Sequence, residues 1–292
     1  MLGIIGGSGL YDVDGLVNKR WVHVSSPFGE ASDELLFGEL DGVPIVFLPR
    51  HGRGHKIPPS EINFRANIDI LKRVGVTEII SFGAVGSLAE HLQPGMFVLV
   101  DQFVDRTFAR TKSFFGNGLV AHVSMAHPVC HRLGKRIKVA ALSSKIELTK
   151  GGTYLVMEGP QFSTQAESKI YRSWGCDVIG MTSMPEAKLA REAEICYASI
   201  AMVTDFDCWH PDHESVTVDQ IVKTMSQNIK KARALIKESA SRMKEDLGVK
   251  ACRCGVALDG AILTYPESYD REAMKNLDAV AGRLFGKSSN DA

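Results

Sequence analysis

The sequence has no net charge, since 34 lysine and arginine residues balance 34 aspartate and glutamate residues among its 292 positions. Without an overall positive field, neither nucleic acid nor an anionic membrane is expected as its main partner. It has no apolar run close to the roughly 20 residues that a membrane-spanning helix needs. It also has no basic stretch ahead of its apolar N-terminus, as a secretory signal would have. We therefore expect a cytoplasmic protein without a membrane segment.

Cysteine is sparse and scattered, with residues at positions 130, 176, 196, 208, 252 and 254. Several of them lie inside apolar segments, which favours buried thiols in a reducing compartment. Only Cys252 and Cys254 have a suggestive spacing, because C-x-C could form a redox disulfide or begin a metal site. No second pair of cysteine or histidine residues stands near them in the sequence. We therefore predict ordinary buried thiols and no metal site.

Aromatic residues make up only 8% of the chain and apolar residues 45%, which suits an ordinary α/β protein. Apolar segments of strand length alternate with amphipathic ones. The predicted strands are 2–5, 44–48, 78–81, 96–100, 153–156, 177–180 and 198–203. This alternation predicts an α/β fold in a single domain, with a mixed, twisted β-sheet flanked by helices. We assign residues 1–245 to the domain and residues 246–292 to a C-terminal extension of the same domain that is partly mobile.

Three helix starts can be predicted from capping residues. Ser60 precedes apolar residues at helical spacing. Ser183 and Glu186 have the S-x-x-E spacing of a capping box. Thr217 begins an amphipathic stretch that runs to Ile236. We expect a helix after each of these positions.

The stretch GIIGGSGL at residues 3–10 runs from an apolar strand into a glycine-rich loop. A dinucleotide fingerprint, G-x-G-x-x-G, would need a third glycine where the chain has Asp12. A dehydrogenase is therefore disfavoured. By itself the stretch remains open between an anion cradle and a plain tight turn.

Two other strand ends carry groups suited to an oxyanion. Arg50 and His51 follow the second predicted strand, and a guanidinium forks onto phosphate oxygens. A metal site at His51 and His55 is disfavoured, because the glycines between them argue against a helix. The small residues FGAVGS after the third predicted strand have backbone amides that could form an anion-binding nest. Because strand ends meet at one edge of such a sheet, Ser8, Arg50, His51 and these amides are expected around one phosphate-like group.

Two carboxylates, Asp205 and Asp207, follow the apolar strand at 198–203. In an extended strand the i, i+2 spacing directs both side chains to one face, roughly 6–7 Å apart. Two like charges this close raise the pKa of at least one group, which lets a carboxylic acid deliver a proton near neutral pH. A solvated strand end or a divalent-metal site stays open on these residues alone. Together with an oxyanion site, the pair suggests phosphorolysis or hydrolysis of a bond with a basic leaving group.

Across residues 2–245 five motifs occur in one order: GIIGGSGL, RHGRGH, AVGSL, MEGPQFSTQAES and WGCDVIGMTSMPEAKLAREAEICYASIAMVTDFDCW. Jointly they resemble the methylthioadenosine phosphorylases of the purine nucleoside phosphorylase family. The resemblance implies that family's fold and the cleavage of 5′-methylthioadenosine by inorganic phosphate, giving adenine and 5-methylthioribose 1-phosphate. It also implies that phosphate is a co-substrate and that no metal or organic cofactor takes part.

The resemblance assigns phosphate binding to Ser8, Arg50, His51, the backbone amide of Ala84, and Thr182. Family members often have a hydroxyl residue just before that alanine, whereas this chain has Gly83. We therefore expect one phosphate hydrogen bond to be lost or to be supplied by water.

The resemblance also assigns the residues that contact the base and the ribose of the nucleoside. It places Phe162 on the base, Met181 under the ribose and Thr204 along the base-recognition strand. Asp205 then protonates N7 of the leaving base, and Asp207 accepts a hydrogen bond from its 6-amino group. A carboxylate opposes the lone pairs of a 6-oxo group, so 6-aminopurines are expected to be preferred over 6-oxopurines.

The resemblance assigns the 5′-methylthio group of the nucleoside to an apolar lining formed by Val218, Ile221 and Val222. Apolar pockets reject an added hydroxyl only modestly, so 5′-deoxyadenosine and adenosine are expected as secondary substrates. His122 matches a histidine that the family lends to the neighbouring subunit, which implies a homotrimer. The competing interpretations are a 6-oxopurine phosphorylase acting on methylthioinosine or inosine, a nucleosidase that uses water, and a nucleoside-binding protein without catalysis.

Overall fold

The computed structural model describes residues 1–7, 9–210, 218–245 and 252–285, with the backbone alone for residues 218–221 and 244. Its strands are β1 (Leu2–Gly6), β2 (Val17–Val22), β3 (Leu35–Leu40), β4 (Val43–Pro49), β5 (Glu78–Ser87), β6 (Phe97–Leu99), β7 (Gln102–Asp105), β8 (Leu148–Lys150), β9 (Thr153–Val156), β10 (Val178–Gly180) and β11 (Cys196–Asp205). Its helices are α1 (Phe64–Arg73), α2 (His131–Ser143), α3 (Gln165–Ser173), α4 (Ser183–Glu192), α5 (Val218–Ser241), α6 (Arg271–Asn276) and α7 (Asp278–Ala281).

The described strands form one sheet in the order β2, β3, β4, β1, β5, β10, β9, β7, from which β11, β6 and β8 branch at β5. β1 runs parallel to β4 and β5, and β11 runs parallel to β5. β3 and β10 run antiparallel to β4 and β5, respectively. Helices α2, α4 and α5 pack on β11. The mixed sheet with flanking helices confirms the predicted fold class.

β5 has ten residues and is the strand from which the sheet branches, because it pairs with three other strands. Its start pairs with β1, its end pairs with β10, and its opposite edge pairs with β11. The prediction that this strand ends at Ser81 and leads into a glycine-rich loop is wrong, since it continues to Ser87. Glycine and alanine at 83, 84 and 86 are therefore small residues inside a strand, where they let other groups approach closely.

All seven predicted strands are present, and β5 is the one whose end differs most. The apolar pattern misses β2, β3, β7 and β8. β2 has the largely exposed sequence VNKRWV and lies at the edge of the sheet. β8 has only three residues. Edge strands and very short strands bury too little to produce a clear apolar run.

The predicted helix start at Ser60 is wrong, whereas the helix predicted at Ser183 is present as α4. α1 begins after Asn63, whose side chain accepts a backbone N–H of the first turn at 3.1 Å, rather than after Ser60. The capping box at Ser183 and Glu186 does not form. Thr182 precedes α4 without a side-chain cap, and Glu186 is buried in the protein.

The third predicted helix is α5, which runs past Ile236 to Ser241. Its predicted cap, Thr217, lies outside the described residues. A capping box does form before α3, where Thr164 and Glu167 bond reciprocally. In the described ranges, no helix combines the length and the apolar composition that crossing a bilayer requires.

The core consists of two main hydrophobic clusters on opposite faces of the sheet. Ile79 belongs to one cluster and Ile80 to the other, as the alternation of side chains along a strand requires. Leu258, Leu277 and Val280 of the segment 252–285 join the cluster of Ile79. The described part of the C-terminal extension therefore packs into the core of the domain.

Candidate active site

The ends of β1 and β4 bring the glycine-rich loop beside Arg50. The two strands are parallel and remain in register up to Gly6 and Pro49. One residue later, the backbone N–H of Arg50 donates to the Gly6 carbonyl at 2.9 Å. The loop therefore starts next to Arg50. Ser8, the phosphate ligand predicted in this loop, lies outside the described residues.

Arg50 is 2% exposed, and most of its guanidinium is bound inside the protein. Nε and Nη2 donate to the two carboxylate oxygens of Glu186 at 2.8 and 3.2 Å. Nη2 also donates to the Ser81 hydroxyl at 2.6 Å, and Nη1 donates to the Phe82 carbonyl at 3.0 Å. These contacts use four of the five N–H groups of an arginine. Among the described contacts, one Nη1 N–H is left for a ligand.

Glu186 fixes the orientation of this arginine. Its carboxylate also accepts the hydroxyls of Ser81 at 2.5 Å and Tyr197 at 2.8 Å. Burial alone would lower the pKa of Arg50, but the charge and hydrogen bonds of Glu186 outweigh burial and raise it. The S-x-x-E spacing predicts a helix cap at Glu186 and gives no sign of this role. The feature of the sequence that could have indicated a buried ion pair is a carboxylate among the apolar residues of α4.

His51 is held in one tautomer. Its Nδ1 lies 2.8 Å from the carbonyl oxygen of Ile57, which can only accept, so Nδ1 carries the proton. Burial and the positive charge of Arg50 lower the pKa of His51 to about 4. The ring is therefore neutral at pH 7, and Nε2 has a lone pair that can accept a hydrogen bond from a protonated oxyanion. The ring of His55 stacks on it at a centroid distance of 4.3 Å.

A small polar recess surrounds Gly83 in β5. A Cβ built on this glycine would lie 3.7 Å from Oγ1 of Thr182 and 3.8 Å from the Tyr154 hydroxyl, which are ordinary contact distances. The Tyr154 hydroxyl is buried and makes no well-formed hydrogen bond to the described residues. The structure thus brings Thr182 next to Gly83, and a Cβ at Gly83 fits into the recess.

The end of β11 presents Asp205 from a β-bulge. Val203 pairs with Val85 and Asp205 pairs with Gly86, so Thr204 is the extra residue. Oγ1 of Thr204 lies 3.1 Å from the Val85 carbonyl oxygen and 2.6 Å from Oδ2 of Asp205. The bulge therefore places a hydroxyl against the carboxyl group and fixes its orientation.

Asp207 does not extend the strand. Its φ is +52°, in the left-handed region, and its N–H turns back to donate to Oδ1 of Asp205 at 2.8 Å. The prediction of two carboxylates on one face of an extended strand is wrong, because the bulge and this turn redirect the chain. Burial raises the pKa of both carboxyl groups, and the charge of Asp207 adds to the rise at Asp205. This is the direction that the sequence predicted.

Gly86 provides the space for this pair of carboxyl groups. A Cβ on Gly86 would lie 2.9 Å from Oδ1 of Asp205 and 3.3 Å from Cβ of Asp207. Any side chain at this position would displace the acid. In the sequence, Gly86 is typical of an anion-binding nest, and this role is not apparent there.

The MEGPQF segment borders the turn after β11. The carbonyl of Ser163 accepts a hydrogen bond from the Cys208 thiol at 3.3 Å, and Phe162 beside it is 47% exposed. Met181 packs on Gly159 of the same segment, since a Cβ there would come within 2.5 Å of the Met181 sulfur. An exposed aromatic ring near these carboxyl groups is well placed to stack on a planar ligand.

The remaining predicted residues are not joined to these strand ends by the described contacts. Val222 lies in the first turns of α5 and is 61% exposed. The side chains of Val218 and Ile221 lie outside the described residues. His122 is exposed, and its backbone N–H donates to the Ala261 carbonyl in the C-terminal segment at 2.9 Å. Exposure leaves Val222 and His122 accessible to a ligand or to a neighbouring subunit.

The two halves of the site are joined by β5. Gly83 borders the arginine side and Gly86 borders the carboxyl side, so about 10 Å of strand separates them. One half offers an arginine N–H, a neutral histidine and a threonine hydroxyl, which suit an oxyanion. The other half offers a carboxylic acid with a raised pKa, caused by burial, which suits proton delivery. Together they suit transfer of a group from a basic leaving group to an oxyanion.

A family model described as "Phosphorylase superfamily" matches residues 1–241, which is most of the chain. The chain belongs to this superfamily. Among its relatives, it is 59% identical over 286 residues to the S-methyl-5′-thioadenosine phosphorylase of Rhodospirillum rubrum, with 98% of this chain and 97% of that protein covered. The family inferred from the five motifs is thereby confirmed.

Solved structures of the phosphorylase superfamily share the fold. A methylthioadenosine phosphorylase from an Antarctic soil metagenomic library has a TM-score of 0.88 at 45% identity, over 96% of this chain and 98% of that one. A mutant of the adenosine/methylthioadenosine phosphorylase from Schistosoma mansoni, in complex with methylthioadenosine, has a TM-score of 0.78 at 39% identity. That match covers 85% of this chain and 93% of the other.

Proposed function

We propose that this chain cleaves S-methyl-5′-thioadenosine with inorganic phosphate, giving adenine and 5-methylthioribose 1-phosphate. The observation that carries the proposal is the half-buried carboxyl of Asp205, which is held by Thr204 and the Asp207 N–H and is joined by β5 to a recess suited to an oxyanion. The name of a relative 59% identical over nearly the full chain supports the same reaction. The enzyme is then a pentosyltransferase of purine and methionine salvage.

The reaction separates charge in a way that the two halves of the site can stabilise. As the bond from the ribosyl carbon to N9 breaks, the carbon becomes cationic and the adenine becomes anionic. Protonation of N7 by Asp205 neutralises the adenine, and the phosphate anion stabilises the ribosyl cation. Burial raises the pKa of Asp205 and so favours the protonated form that this step needs.

We assign phosphate to the recess on the arginine side. Its proposed ligands are the Ser8 hydroxyl, the Arg50 guanidinium, the His51 ring, the Ala84 amide and the Thr182 hydroxyl. Arg50 contributes the Nη1 N–H that Glu186 and its neighbours leave over. The Nε2 lone pair of His51 accepts a hydrogen bond from a protonated phosphate oxygen, and a dianion would raise the pKa of this ring by its negative charge.

We assign the nucleoside to the carboxyl side. Phe162 stacks on the base, Met181 lies under the ribose, and Asp207 accepts a hydrogen bond from the 6-amino group. The methylthio group is assigned to the apolar side chains Val218, Ile221 and Val222. Phosphate is a co-substrate, and the reaction needs no metal or organic cofactor.

The proposed assembly is a cytoplasmic homotrimer. His122 is exposed, and its backbone N–H donates to the Ala261 carbonyl of the C-terminal segment. In a trimer it completes the site of the neighbouring subunit. Light scattering of the purified chain measures the subunit number.

Adenine release from methylthioadenosine, measured with and without phosphate, tests the proposed reaction. We expect release to depend on phosphate and to yield one 5-methylthioribose 1-phosphate for each adenine. Release without phosphate would indicate a nucleosidase, and binding without turnover would indicate a binding protein. Inosine and methylthioinosine in parallel test the 6-oxopurine alternative, and 5′-deoxyadenosine tests the 5′ pocket.

Asp207→Asn is expected to lower the preference for methylthioadenosine over methylthioinosine on the order of 100-fold. An amide N–H opposes the 6-amino group but donates to a 6-oxo group. Asparagine also tolerates the left-handed φ of this position. The measurement is kcat/KM for the two nucleosides. Asp205→Asn is the control, because it should slow both reactions alike, and an unchanged ratio in Asp207→Asn would refute the contact.

Gly83→Ser is expected to lower the KM for phosphate about tenfold, the effect of one added hydrogen bond to a charged group. The recess has room for this hydroxyl, since the nearest atoms lie at contact distance from a built Cβ. Gly83→Ala is the matched control, because it adds the Cβ without the hydroxyl. Equal KM values for the serine and alanine variants would show that phosphate does not lie against this strand.

A further inference from the structure

Four cysteine thiols meet at the end of β11 opposite to Asp205. The sulfur atoms of Cys130, Cys196, Cys252 and Cys254 all lie within 4.8 Å of one another. Cys252 is half-buried and the other three are buried. This four-cysteine cluster joins three separate parts of the chain, namely the turn before α2, the start of β11 and the C-terminal segment 252–285.

We propose that the four-cysteine cluster binds one Zn²⁺ ion. A tetrahedral zinc–thiolate centre has Zn–S bonds of about 2.3 Å, which places its sulfur atoms about 3.8 Å apart. The cluster has this size, since no pair exceeds 4.8 Å and the Cys196 and Cys252 sulfurs lie 3.3 Å apart. Four sulfurs this close enclose a single ion, and four thiolates favour zinc over ions that prefer oxygen ligands.

N–H donors surround the cluster. Four thiolates and one Zn²⁺ carry a net charge of about −2, which needs compensation in a buried place. Nη2 of Arg132 lies 3.5 Å from the Cys196 sulfur, and Nη1 of Arg191 lies 3.7 Å from the Cys254 sulfur. A backbone N–H of the first turn of α2 donates to the Cys130 sulfur at 3.5 Å. Two arginines and a helix N-terminus thus provide positive charge around the sulfurs, as outer-shell groups do at metal centres.

The zinc has a structural role rather than a catalytic one. Cys196 begins β11 and Asp205 ends it, so about 30 Å of strand separates the ion from the proposed acid. Protein sulfur fills all four coordination positions, and a closed site of this kind leaves no position for water or substrate. Half-buried Cys252 provides the path by which the ion enters.

The ion ties the C-terminal segment to the domain. Beyond Cys254, the chain returns to the start of β11 through Arg283, whose Nε donates to Glu194 at 2.5 Å. Between Cys254 and Arg283 in the sequence, the Ala261 carbonyl accepts a hydrogen bond from the backbone N–H of His122. Zinc loss is therefore expected to loosen this segment and the support of His122.

Metal analysis of the full chain tests the proposal, using protein made without a metal-affinity tag and purified anaerobically with a reductant. We expect about one zinc per chain. Cys252→Ala is expected to lower the zinc content at least tenfold, whereas Cys176→Ala, a buried cysteine outside the cluster, keeps it. Because binding is coupled to folding, removal of zinc from the wild-type chain should lower Tm on the order of 5–10 °C.

A spectroscopic measurement on the wild-type chain keeps the test decisive where Cys252→Ala fails to fold. Protein stripped of zinc and reloaded with Co²⁺ should show the charge-transfer bands of tetrahedral cobalt–thiolate. Metal-free protein with four free thiols, even after incubation with zinc, would overturn the proposal. A disulfide inside the cluster of the anaerobic protein would also overturn it, as would full zinc content in Cys252→Ala.

Discussion

Replacing Asp205 with asparagine is expected to lower kcat for methylthioadenosine about 10²–10⁴-fold, the usual contribution of a positioned general acid. The amide keeps the shape of the carboxyl group and its contacts with Thr204 and the Asp207 N–H. It has no acidic proton for N7, so adenine must leave as an anion. Steady-state kinetics at saturating phosphate measures the loss.

A nucleoside methylated at N7 provides the matched control substrate. Its base is already cationic and leaves as a neutral purine, so the step needs no proton. We expect the Asp205→Asn variant to turn over this substrate at a rate close to that of the wild type. Equal losses on both substrates would contradict proton donation and would indicate a defect in binding or packing.

Proton donation also fixes the sign of the pH dependence. Burial raises the pKa of Asp205 above its ordinary value, and a general acid acts only while it is protonated. The kcat for methylthioadenosine should therefore fall as pH rises through this pKa. The N7-methylated substrate should lack that decline, which a pair of pH profiles would show.

The elements that carry the site could be predicted because their signals are local. A buried parallel strand needs a continuous apolar run, and such runs mark β1, β4 and β11. Polar residues follow the runs of β4 and β11 at the strand ends, and Arg50 and Asp205 are among them. The same logic placed the end of β5 too early, because Gly83 and Gly86 resemble a loop in sequence.

The contacts that complete the site depend on tertiary structure. Glu186 lies 136 positions from Arg50, and its spacing from Ser183 matched a helix cap equally well. The turn at Asp207 follows from a bulge that arises only when β11 pairs with β5. The four-cysteine cluster likewise joins segments that are far apart in sequence. A pattern within one segment contains no information on such pairings.

Glu186→Ala is expected to lower the free energy of unfolding by about 3–5 kcal/mol, as removal of one partner of a buried ion pair does. The buried Arg50 would keep its charge without a counter-ion, and Ser81 and Tyr197 would lose their acceptor. Urea denaturation measures the change. Glu238→Ala is the matched control, because Glu238 pairs with an arginine at a partly exposed position, where such pairs contribute about 0–1 kcal/mol.

A double variant separates the stability of this pair from its role in the reaction. Arg50→Met combined with Glu186→Leu removes both charges, and apolar replacement of a buried ion pair is often neutral or stabilising. We expect the double variant to regain most of the lost unfolding free energy. Activity should stay low and the KM for phosphate high, because the Nη1 N–H directed at the anion is gone. Activity that returned with stability would contradict the phosphate role of Arg50, and unchanged stability in Glu186→Ala would show that the buried ion pair does not stabilise the fold.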